Sequence, residues 1–503
     1  MQTKIVLDGR SLTLDAVRAV ARGEAQVELS PSSAELLKES RKLVFELSDR
    51  GIPIYGCNRG VGWNKDKKVT KEFIAQFNSN MMHSHAVGVG PHASKEEARA
   101  AVVVRLNNLL SGCTGLSPEI ALMMRDMLNH DIVPLIPAKG SVGEADIVNL
   151  SHLGLALMGE GKVFYKDKIV VADEAFKAEG LSAIVLAEKD GLAVLSSNAL
   201  SAGLACSVLS AAEHLMDAAD LIACMSLEGL NGNVSALREG AHKARRYPKQ
   251  IETAARMREY LKGSYLYESD AERPLQDPLS FRCVPQVHGA VRTALDYAKE
   301  NLEIHLNSSD DNPCLLMDER DITSCGNFDP LCWVLGVENL GVALSHVSKL
   351  SCLRSIKLAS PGFTKLSRHL TPNDSTIAFS TIQKIYANMD AEIRLLAAPI
   401  SMDTFALAGD MEDIGTNAPL VMQKTKRIIE CLFYVLAIEL IHAGQAMDLR
   451  GARYGAATAK GLEALRGTMP FYSADNRILS DDIENVRALL ESEEFLNKSV
   501  RSL

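Results

Sequence analysis

Long segments in which apolar residues recur every three to four positions dominate this sequence. The clearest covers residues 198–230 (NALSAGLACSVLSAAEHLMDAADLIACMSLEGL), and residues 333–358 and 424–450 follow the same pattern. This spacing predicts α-helices, and the Ala, Gly and Ser residues inside them predict helices that pack closely side by side. We therefore expect a mainly α fold built on a long central helical bundle.

Strand signals are few and short. They are KIVLDG near the start and KVFYKDKIVVAD at residues 162–173, where a polar interruption predicts a small hairpin. We predict a smaller mixed N-terminal lobe over residues 1–112, followed by a helical body over residues 113–503. Within the lobe, Ser30 and Pro31 predict the start of a helix, and Gly51 predicts its end.

Charge and hydropathy exclude several classes of partner. The formal net charge of −9 at pH 7 argues against a nucleic-acid or anionic-membrane surface. The most apolar helix candidate, CLFYVLAIELIHAGQAMDLRG, contains Glu439 and His442, which favours a buried bundle helix over a membrane span. The first residues have no apolar signal-peptide core, so we expect a cytoplasmic protein.

Cofactor signals are weak. The ten cysteines include no C-x-x-C pair, so we expect most to be small buried side chains, with metal or redox roles less favoured. GCNRGVG lacks the Lys-Ser/Thr of a phosphate-binding loop. His83 and His85 alone are too few ligands to indicate a metal site. We expect no metal and no nucleotide.

Eight segments occur in an order and at spacings that resemble a known family. They are IYGCNRGVG, HSHAVGVG, IPAKGSVG, LQDPLSFRCVPQVHG, NSSDDNP, CGNFD, MED and GQAMDLR, spread over nearly the whole chain. Together they resemble the aromatic amino-acid ammonia-lyases, and most closely the bacterial histidine ammonia-lyases.

The resemblance implies a fold, an assembly and a reaction. It implies the helical bundle of the fumarase/aspartase-like type, in a homotetramer whose active sites draw on more than one subunit. The implied reaction removes ammonia from the α-carbon of an amino acid together with a β-proton. In the family, a methylidene-imidazolone (MIO) electrophile supports this reaction, and it forms by cyclisation of Ala-Ser-Gly directly after a GSVG-like sequence.

The loop that should form this electrophile departs from the family pattern. GSVG is followed by Glu144-Ala145-Asp146, with one position lost and no Ser-Gly pair, and Ser141 lies upstream of the cyclising position. We therefore predict that the MIO group is absent and that no other cofactor replaces it.

Two further family residues near the electrophile are replaced. Ser196 stands at the position of a supporting asparagine, and Leu279 replaces a tyrosine. We expect the side chain of Asn198, two residues further on, to face a different direction from that position.

The residues that contact substrate in the family mostly survive. Tyr55 matches the general base that removes the β-proton, and we expect Arg59 to lower its pKa. Arg282 matches the arginine that binds the substrate carboxylate. Taken singly, such residues would be read as a core tyrosine and a surface ion pair; the loop context favours the functional interpretation.

A second group matches the positions that surround the substrate ring and amine. His85 and Glu412 match the residues that recognise imidazole in the histidine-specific branch, and Gln276 and Phe328 fit positions in the pocket wall, with ordinary packing as the alternative. Glu144 or Asp146 would lie where the electrophile stands in the family, and either carboxylate could hold the substrate ammonium group.

Three functional hypotheses follow. The first is a histidine ammonia-lyase-like C–N lyase that converts L-histidine to urocanate and ammonia without MIO, using the substrate ring as the electron sink. The second is a catalytically inactive homologue that binds histidine or a related amine as a sensor or regulatory subunit. The third is another lyase or isomerase reaction on an imidazole compound. The first is preferred because the substrate-binding residues are nearly complete.

Overall fold

The computed structural model describes residues 3–501, in which the chain divides into two compact units. The first comprises Met1–Leu209, Tyr297–Val337 and Pro399–Gln423. The second comprises Ser210–Asp296, Glu338–Ala398 and Lys424–Leu503. The residues on both sides of Gly112 belong to the first unit, and a separate lobe that ends there stays a prediction.

Helices make up most of the described chain, which confirms the mainly α fold. The helices before residue 200 are α1 Leu14–Ala21, α2 Pro31–Asp49, α3 Ile74–His85, α4 Lys95–Leu109, α5 Pro118–Asn129, α6 Ile147–Leu157, α7 Ala172–Ala178, α8 Asp190–Leu195 and α9 Ala199–Leu230. The later ones are α10 Glu239–Arg245, α11 Pro248–Tyr260, α12 Leu279–Arg282, α13 Val284–Leu306, α14 Leu331–Leu358, α15 Pro361–Thr364, α16 Gln383–Leu396, α17 Ala418–Arg450, α18 Ala456–Thr468, α19 Leu479–Glu491 and α20 Glu494–Ser499.

The strands described for residues 3–501 all lie in the first unit and form small sheets. They are β1 Thr3–Leu7, β2 Ala25–Leu29, β3 Val89–His92, β4 Val133–Pro134, β5 Pro137–Lys139, β6 Lys162–Tyr165, β7 Lys168–Val171, β8 Cys314–Leu316 and β9 Asp321–Thr323. β1 pairs in parallel with β2; β3 with β5, β4 with β6, β6 with β7 and β8 with β9 are antiparallel. The predicted hairpin is confirmed as β6 and β7.

The predicted helix limits agree closely with the structure. α9, α14 and α17 coincide with the three long apolar segments, except that α14 begins two residues and α17 six residues before the predicted start. Ser30 caps α2, since its hydroxyl accepts a hydrogen bond from the Ser33 N–H (3.1 Å), and Gly51 follows the C-cap residue Arg50. These local signals are sufficient to define the helix, because each acts within one turn of its end.

The core of the first unit is built around α4, which is buried on all sides from Ala98 to Leu109. α9 packs directly against it at Gly203, where an added Cβ would lie 2.8 Å from the backbone nitrogen of Ala101. This contact confirms that small residues in the long helices permit close packing.

Three helical stretches within residues 3–501 are long and apolar enough, by length and composition, to cross a membrane. They are Asp190–Leu230, Leu331–Leu358 and Ala418–Arg450, and 94%, 56% and 89% of their apolar windows are buried inside the protein. Burial of this extent is what apolar side chains in a helical core achieve.

Candidate active site

A cavity of about 460 Å³ in the first unit brings together three of the predicted site residues, Tyr55, His85 and Glu412. One face of α3 supplies much of its wall, because the lining residues Phe77, Asn80, Met81, Ser84 and His85 follow helical spacing. The remaining wall comes from the loop after Tyr55, from α6 and α8, and from a hairpin; its residues are Val61, Gly62, Asn64, Ile147, Leu192, Leu195 and Ala408.

Tyr55 lies half-buried in a turn whose backbone contacts its hydroxyl. The Gly62 N–H donates a hydrogen bond to Tyr55 Oη at 2.8 Å. Burial raises the pKa of Tyr55 above its ordinary value; the Gly62 hydrogen bond lowers it, and the nearby Glu412 carboxylate adds to the increase. The expectation that Arg59 lowers this pKa is wrong: the Arg59 guanidinium instead donates to the Asn58 carbonyl at 3.3 Å.

His85 is the last residue of α3, and the helix determines its protonation pattern. Its Nδ1 lies 2.8 Å from the Met81 carbonyl oxygen, which can only accept a hydrogen bond. Nδ1 therefore carries the proton, and in the neutral ring Nε2 is an acceptor. An imidazole N–H or another donor of a bound ligand would suit this nitrogen.

Glu412 is positioned by a short hairpin. Leu407 and Glu412 exchange two backbone hydrogen bonds, of 2.7 and 3.2 Å. A Cβ on Gly62 would lie 4.0 Å from Glu412 Oε1, so the carboxylate stands next to the turn that holds the Tyr55 hydroxyl. The charge of Glu412 therefore acts on the ionisation of the Tyr55 hydroxyl.

The loop that departs from the family pattern, residues 141–146, is a compact hydrogen-bonded turn. The Ser141 hydroxyl accepts from the Gly143 N–H (3.0 Å) and lies within hydrogen-bond distance of Asp146 Oδ1 (2.9 Å) and the Ala145 carbonyl (3.2 Å). Ala145 has a left-handed backbone, with φ 75°. The turn holds Glu144 at its tip.

Glu144 is a half-buried carboxylate with unusual electrostatics. Burial raises its pKa to about 7, and the carboxylates of Glu412 and Asp413 add to this shift. Among residues 3–501, no group donates a hydrogen bond to the buried Glu144 Oε1. A cation bound next to this carboxylate would stabilise its ionised form.

Asp146 has a different environment from Glu144. It is fully buried; its carboxylate accepts from the Ser201 N–H (2.8 Å) and lies 2.9 Å from the hydroxyls of both Ser141 and Ser201. Burial raises its pKa to about 6, although these hydrogen bonds lower it. The Asp146 side chain links the turn to α9, and its oxygens already accept hydrogen bonds within the protein. The structure therefore favours Glu144 over Asp146 as the group that binds a ligand.

The sequence analysis did not expect Asn198 to take the place of the supporting asparagine, but in the structure its side chain contacts the turn. Its Oδ1 accepts from the Ala145 N–H at 3.1 Å, and its Nδ2 donates to the Phe328 carbonyl. Its own N–H donates to Asp310 at 3.0 Å. Asn198 therefore supports the turn from the residue directly before α9, even though Ser196 occupies the matched position. An asparagine directly before a long helix, which would normally cap that helix, was the available signal.

The residues of the turn do not fit the MIO group. Ring closure in the family needs Ala-Ser-Gly, whereas this turn presents Glu144-Ala145-Asp146. The backbone N–H of Ala145 and the hydroxyl of Ser141 are both used in hydrogen bonds that hold the turn. We therefore derive no catalytic step through such a group.

The other predicted site residues lie away from the cavity wall or in the second unit. Phe328 contacts Asn198 through its backbone carbonyl and is half-buried. In the second unit, Arg282 Nε donates to the Asp277 carbonyl at 2.6 Å, and Gln276 is exposed. Within residues 3–501 no group of three or more His, Cys, Asp or Glu side chains could hold a metal ion.

Replacing Gly143 with alanine should lower the apparent free energy of unfolding by about 2–4 kcal/mol, from left-handed strain and overpacking together. Gly143 has φ 89°, and an added Cβ would lie 2.3 Å from Thr416 Oγ1 and 2.8 Å from the Ala418 nitrogen. Urea denaturation measures the loss. The matched control is Gly180→Ala, at φ 71° with nothing within 4 Å; equal effects for both variants would show that the packing around the turn is loose.

Comparisons with known proteins identify the family of this chain. A family model for aromatic amino acid lyases matches residues 12–467. The chain is 37% identical to histidine ammonia-lyase of a Geobacillus species over 95% of both chains, and 35% identical to that of Treponema denticola over 98% of both.

Solved structures give the same result for the fold. The crystal structure of ergothionase, an ergothioneine-degrading enzyme from Treponema denticola in complex with desmethyl-ergothioneine sulfonic acid, is 44% identical. It superposes with a TM-score of 0.96 over 98% of this chain and 100% of that one. Histidine ammonia-lyase from Trypanosoma cruzi is 27% identical, with a TM-score of 0.91 over 100% and 96% of the two chains. This chain belongs to the aromatic amino acid lyase family.

Proposed function

We propose that this chain is a C–N lyase that eliminates an amine from a histidine-type substrate without an MIO electrophile. We further propose that its substrate carries a quaternary ammonium group, as in ergothioneine, the trimethylammonium betaine of 2-thiohistidine. The single observation that carries the proposal is Glu144, a carboxylate with a raised pKa beside Glu412, at the place where the family forms its electrophile.

The chemistry of the leaving group explains why an electrophile is not needed. A primary amine at the α-carbon can lose a proton to the active-site base and then becomes a poor leaving group. A trimethylammonium group has no N–H, keeps its positive charge at every pH and departs as neutral trimethylamine. The half-buried carboxylate of Glu144, which interacts with that of Glu412, can attract this cation, since a half-buried charge is only partly screened by water.

Tyr55 would act as the base in this reaction. Its phenolate removes the β-proton, the C–H electron pair forms the carbon–carbon double bond, and the C–N pair leaves with the amine. Burial raises the pKa of Tyr55, so ionisation needs a nearby positive charge. A permanently cationic substrate brings that charge, and the Gly62 N–H at 2.8 Å stabilises the phenolate as it forms.

The remaining residues would orient the substrate. Glu412 and the Nε2 of His85 are suited to the substrate ring. The Glu412 carboxylate can accept a hydrogen bond from an imidazole N–H and attract a cationic ring, and the Nε2 of His85 can accept a hydrogen bond from a second donor. The match of Arg282 to the family's carboxylate-binding arginine stays a prediction, and a guanidinium is the planar bidentate donor that suits a carboxylate. The homotetramer implied by the resemblance and the cytoplasmic location expected from the first residues stay predictions.

A second candidate substrate is L-histidine itself, because relatives with 35–37% identity carry the name histidine ammonia-lyase. For this substrate the imidazolium, held by Glu412, would have to serve as the electron sink for the β-carbanion. The inactive binding homologue of the sequence analysis is the alternative to both reactions.

One assay separates these functions. The purified protein is incubated with ergothioneine or with L-histidine, and the conjugated imidazole-acrylate product is followed by its ultraviolet absorbance, while trimethylamine and ammonia are quantified. We expect sustained turnover with ergothioneine and far less with L-histidine. The reverse preference would reject the quaternary-ammonium proposal, and calorimetric binding of either compound without any product would favour a sensor.

Replacing Glu412 with glutamine should weaken binding of the imidazole-containing substrate by about 10–100-fold, the usual effect of losing a charge-assisted hydrogen bond. Isothermal titration calorimetry with ergothioneine measures the loss. Betaine, which has the trimethylammonium and carboxylate groups but no ring, is the matched ligand and should bind both proteins equally. An equal loss for both ligands would contradict ring recognition by Glu412.

A further inference from the structure

The hairpin that carries Glu412 is mostly exposed. Residues 405–411 are all exposed except Ala408, which is half-buried and lines the cavity. Two backbone hydrogen bonds between Leu407 and Glu412 close the hairpin, and residues 408–410 at its tip have a left-handed backbone, with φ of 46°, 63° and 63°. Segments with few buried apolar contacts open at low free energy. A packing contact on this hairpin would therefore decide how firmly Glu412 is held.

Trp63 makes such a contact. Its indole ring lies directly against Gly409, because an added Cβ on Gly409 would lie 1.7 Å from both Cε3 and Cζ3 of the ring. Any larger residue there would overlap the ring, and glycine allows this close approach to the backbone. Tryptophan is usually well buried, whereas Trp63 is 73% exposed. A large ring that rests on a glycine while most of its surface stays in water points to a local role.

Trp63 belongs to the Tyr55 turn, residues 55–64, which lies on the other side of the contact. Gly62, the residue before Trp63, donates a hydrogen bond to Tyr55 Oη at 2.8 Å. A Cβ on Gly62 would lie 4.0 Å from Glu412 Oε1. Gly62 on the turn and Ala408 on the hairpin both line the cavity. The contact between ring and glycine thus joins the two segments that carry the base and the ring-binding carboxylate.

We propose that Trp63 is a positioning residue whose ring, packed on Gly409, holds the hairpin against the Tyr55 turn and fixes the Glu412 carboxylate at the cavity. Trp63 lies outside the cavity wall and acts on a ligand only through Glu412. The packing contact is independent of the proposed lyase function, and its effect on a ligand rests on that function.

The physical reason for this role is the geometry that a hydrogen bond requires. A hydrogen bond to a carboxylate weakens steeply when its angle or distance departs from the favourable range. If the hairpin moves, Glu412 can no longer accept from an imidazole N–H in one fixed position. A ligand with an imidazole ring should therefore depend on Trp63, and a ligand without the ring should not.

The first test measures amide hydrogen exchange by mass spectrometry on the full-length protein without ligand. In Trp63→Ala, peptides covering residues 405–414 should exchange about 3–10-fold faster than in the wild type, as expected for loss of one aromatic packing contact. Trp63→Phe keeps a flat ring and should restore part of the protection. The control Tyr247→Ala removes an aromatic side chain that is 59% exposed in the second unit, and should change nothing in the hairpin. Unchanged exchange of the hairpin in Trp63→Ala would overturn the proposal.

The same measurement tests whether the ring and the glycine contact each other directly. Gly409→Ala should speed exchange of the hairpin in the wild type, because the new methyl group displaces the ring. In the Trp63→Ala background its effect should be smaller, since the ring is absent and only the left-handed strain remains. Equal effects in the two backgrounds would contradict a direct contact.

The last test uses ergothioneine as the ligand. Trp63→Ala should raise KM about tenfold and change kcat much less, because the variant loses binding by Glu412 and keeps Tyr55. Trp63→Phe should recover most of the affinity, and calorimetric binding of betaine, which has no ring, should stay as in the wild type. A loosened hairpin with unchanged KM for ergothioneine would overturn the positioning role. If the wild type neither binds nor converts ergothioneine, the proposed function fails, while faster exchange in Trp63→Ala would still support the packing role of Trp63.

Discussion

Replacing Tyr55 with phenylalanine should lower kcat/KM for amine elimination from the substrate by about 10²–10⁴-fold, the usual contribution of a general base. The variant keeps the ring that fills the turn and loses only the hydroxyl, which accepts the Gly62 hydrogen bond at 2.8 Å. Substrate binding should change much less than turnover, because the hydroxyl acts on the β-proton and not on the ring or the carboxylate.

The control for this experiment is Tyr165→Phe. Tyr165 lies in β6 of the same unit, and its hydroxyl bonds to Glu179 instead of lining the cavity. This variant should retain full activity. Product formation is measured by ultraviolet absorbance at saturating and at low substrate, so that kcat and KM are separated. A Tyr55→Phe enzyme with activity near that of the wild type would reject Tyr55 as the base.

Replacing Glu144 with glutamine should raise KM for a trimethylammonium substrate by about 10–100-fold, as expected for loss of a partly desolvated charge. The effect should depend on pH in the wild type. Burial, with Glu412 and Asp413, raises the pKa of Glu144 to about 7, so its carboxylate is mostly protonated below that pH and ionised above it. Affinity for the cation should therefore increase as pH rises through about 7.

The quaternary ammonium makes this titration simple to interpret, because the substrate amine cannot gain or lose a proton. The Glu144→Gln enzyme should lack the increase in affinity through pH 7, and Glu39→Gln, which changes an exposed residue of α2, should retain it. Calorimetric titrations at several pH values measure both. Identical pH profiles for the wild type and Glu144→Gln would exclude Glu144 as the cation-binding group.

The same pKa predicts an effect of opposite sign on stability. The folded-state pKa of Glu144 lies above its unfolded value, so the folded protein retains this proton longer than the unfolded chain does. Stability should fall as pH rises from about 4.5 to about 7 and change little from this group above it. Above pH 7, Glu144→Gln should be more stable by up to roughly 1 kcal/mol, a value reduced for solvent screening of a half-exposed group.

Local signals in the sequence were sufficient for much of the fold. The helices α9, α14 and α17 follow from apolar spacing, α2 from Ser30 and Gly51, and the hairpin of β6 and β7 from alternation with a polar break. Each of these signals acts between residues that are close in the chain. The family motifs likewise identified Tyr55, His85 and Glu412, which the fold brings to one cavity.

The roles of the residues around the turn were decided only by the tertiary structure. Asp146 and Glu144 are equivalent carboxylates in the sequence. In the structure, Asp146 is buried and accepts hydrogen bonds from Ser201, whereas Glu144 lies beside Glu412. Asn198 reaches Ala145 across 53 positions of the chain.

The direction in which the pKa of Tyr55 is shifted was likewise decided by the tertiary structure. Burial is its largest cause, and Glu412 contributes from a distant segment. Hydrogen-bond partners and desolvation depend on which segments meet in space. The sequence by itself therefore determined the helices and the candidate residues, and long-range packing determined which of them can act on a ligand.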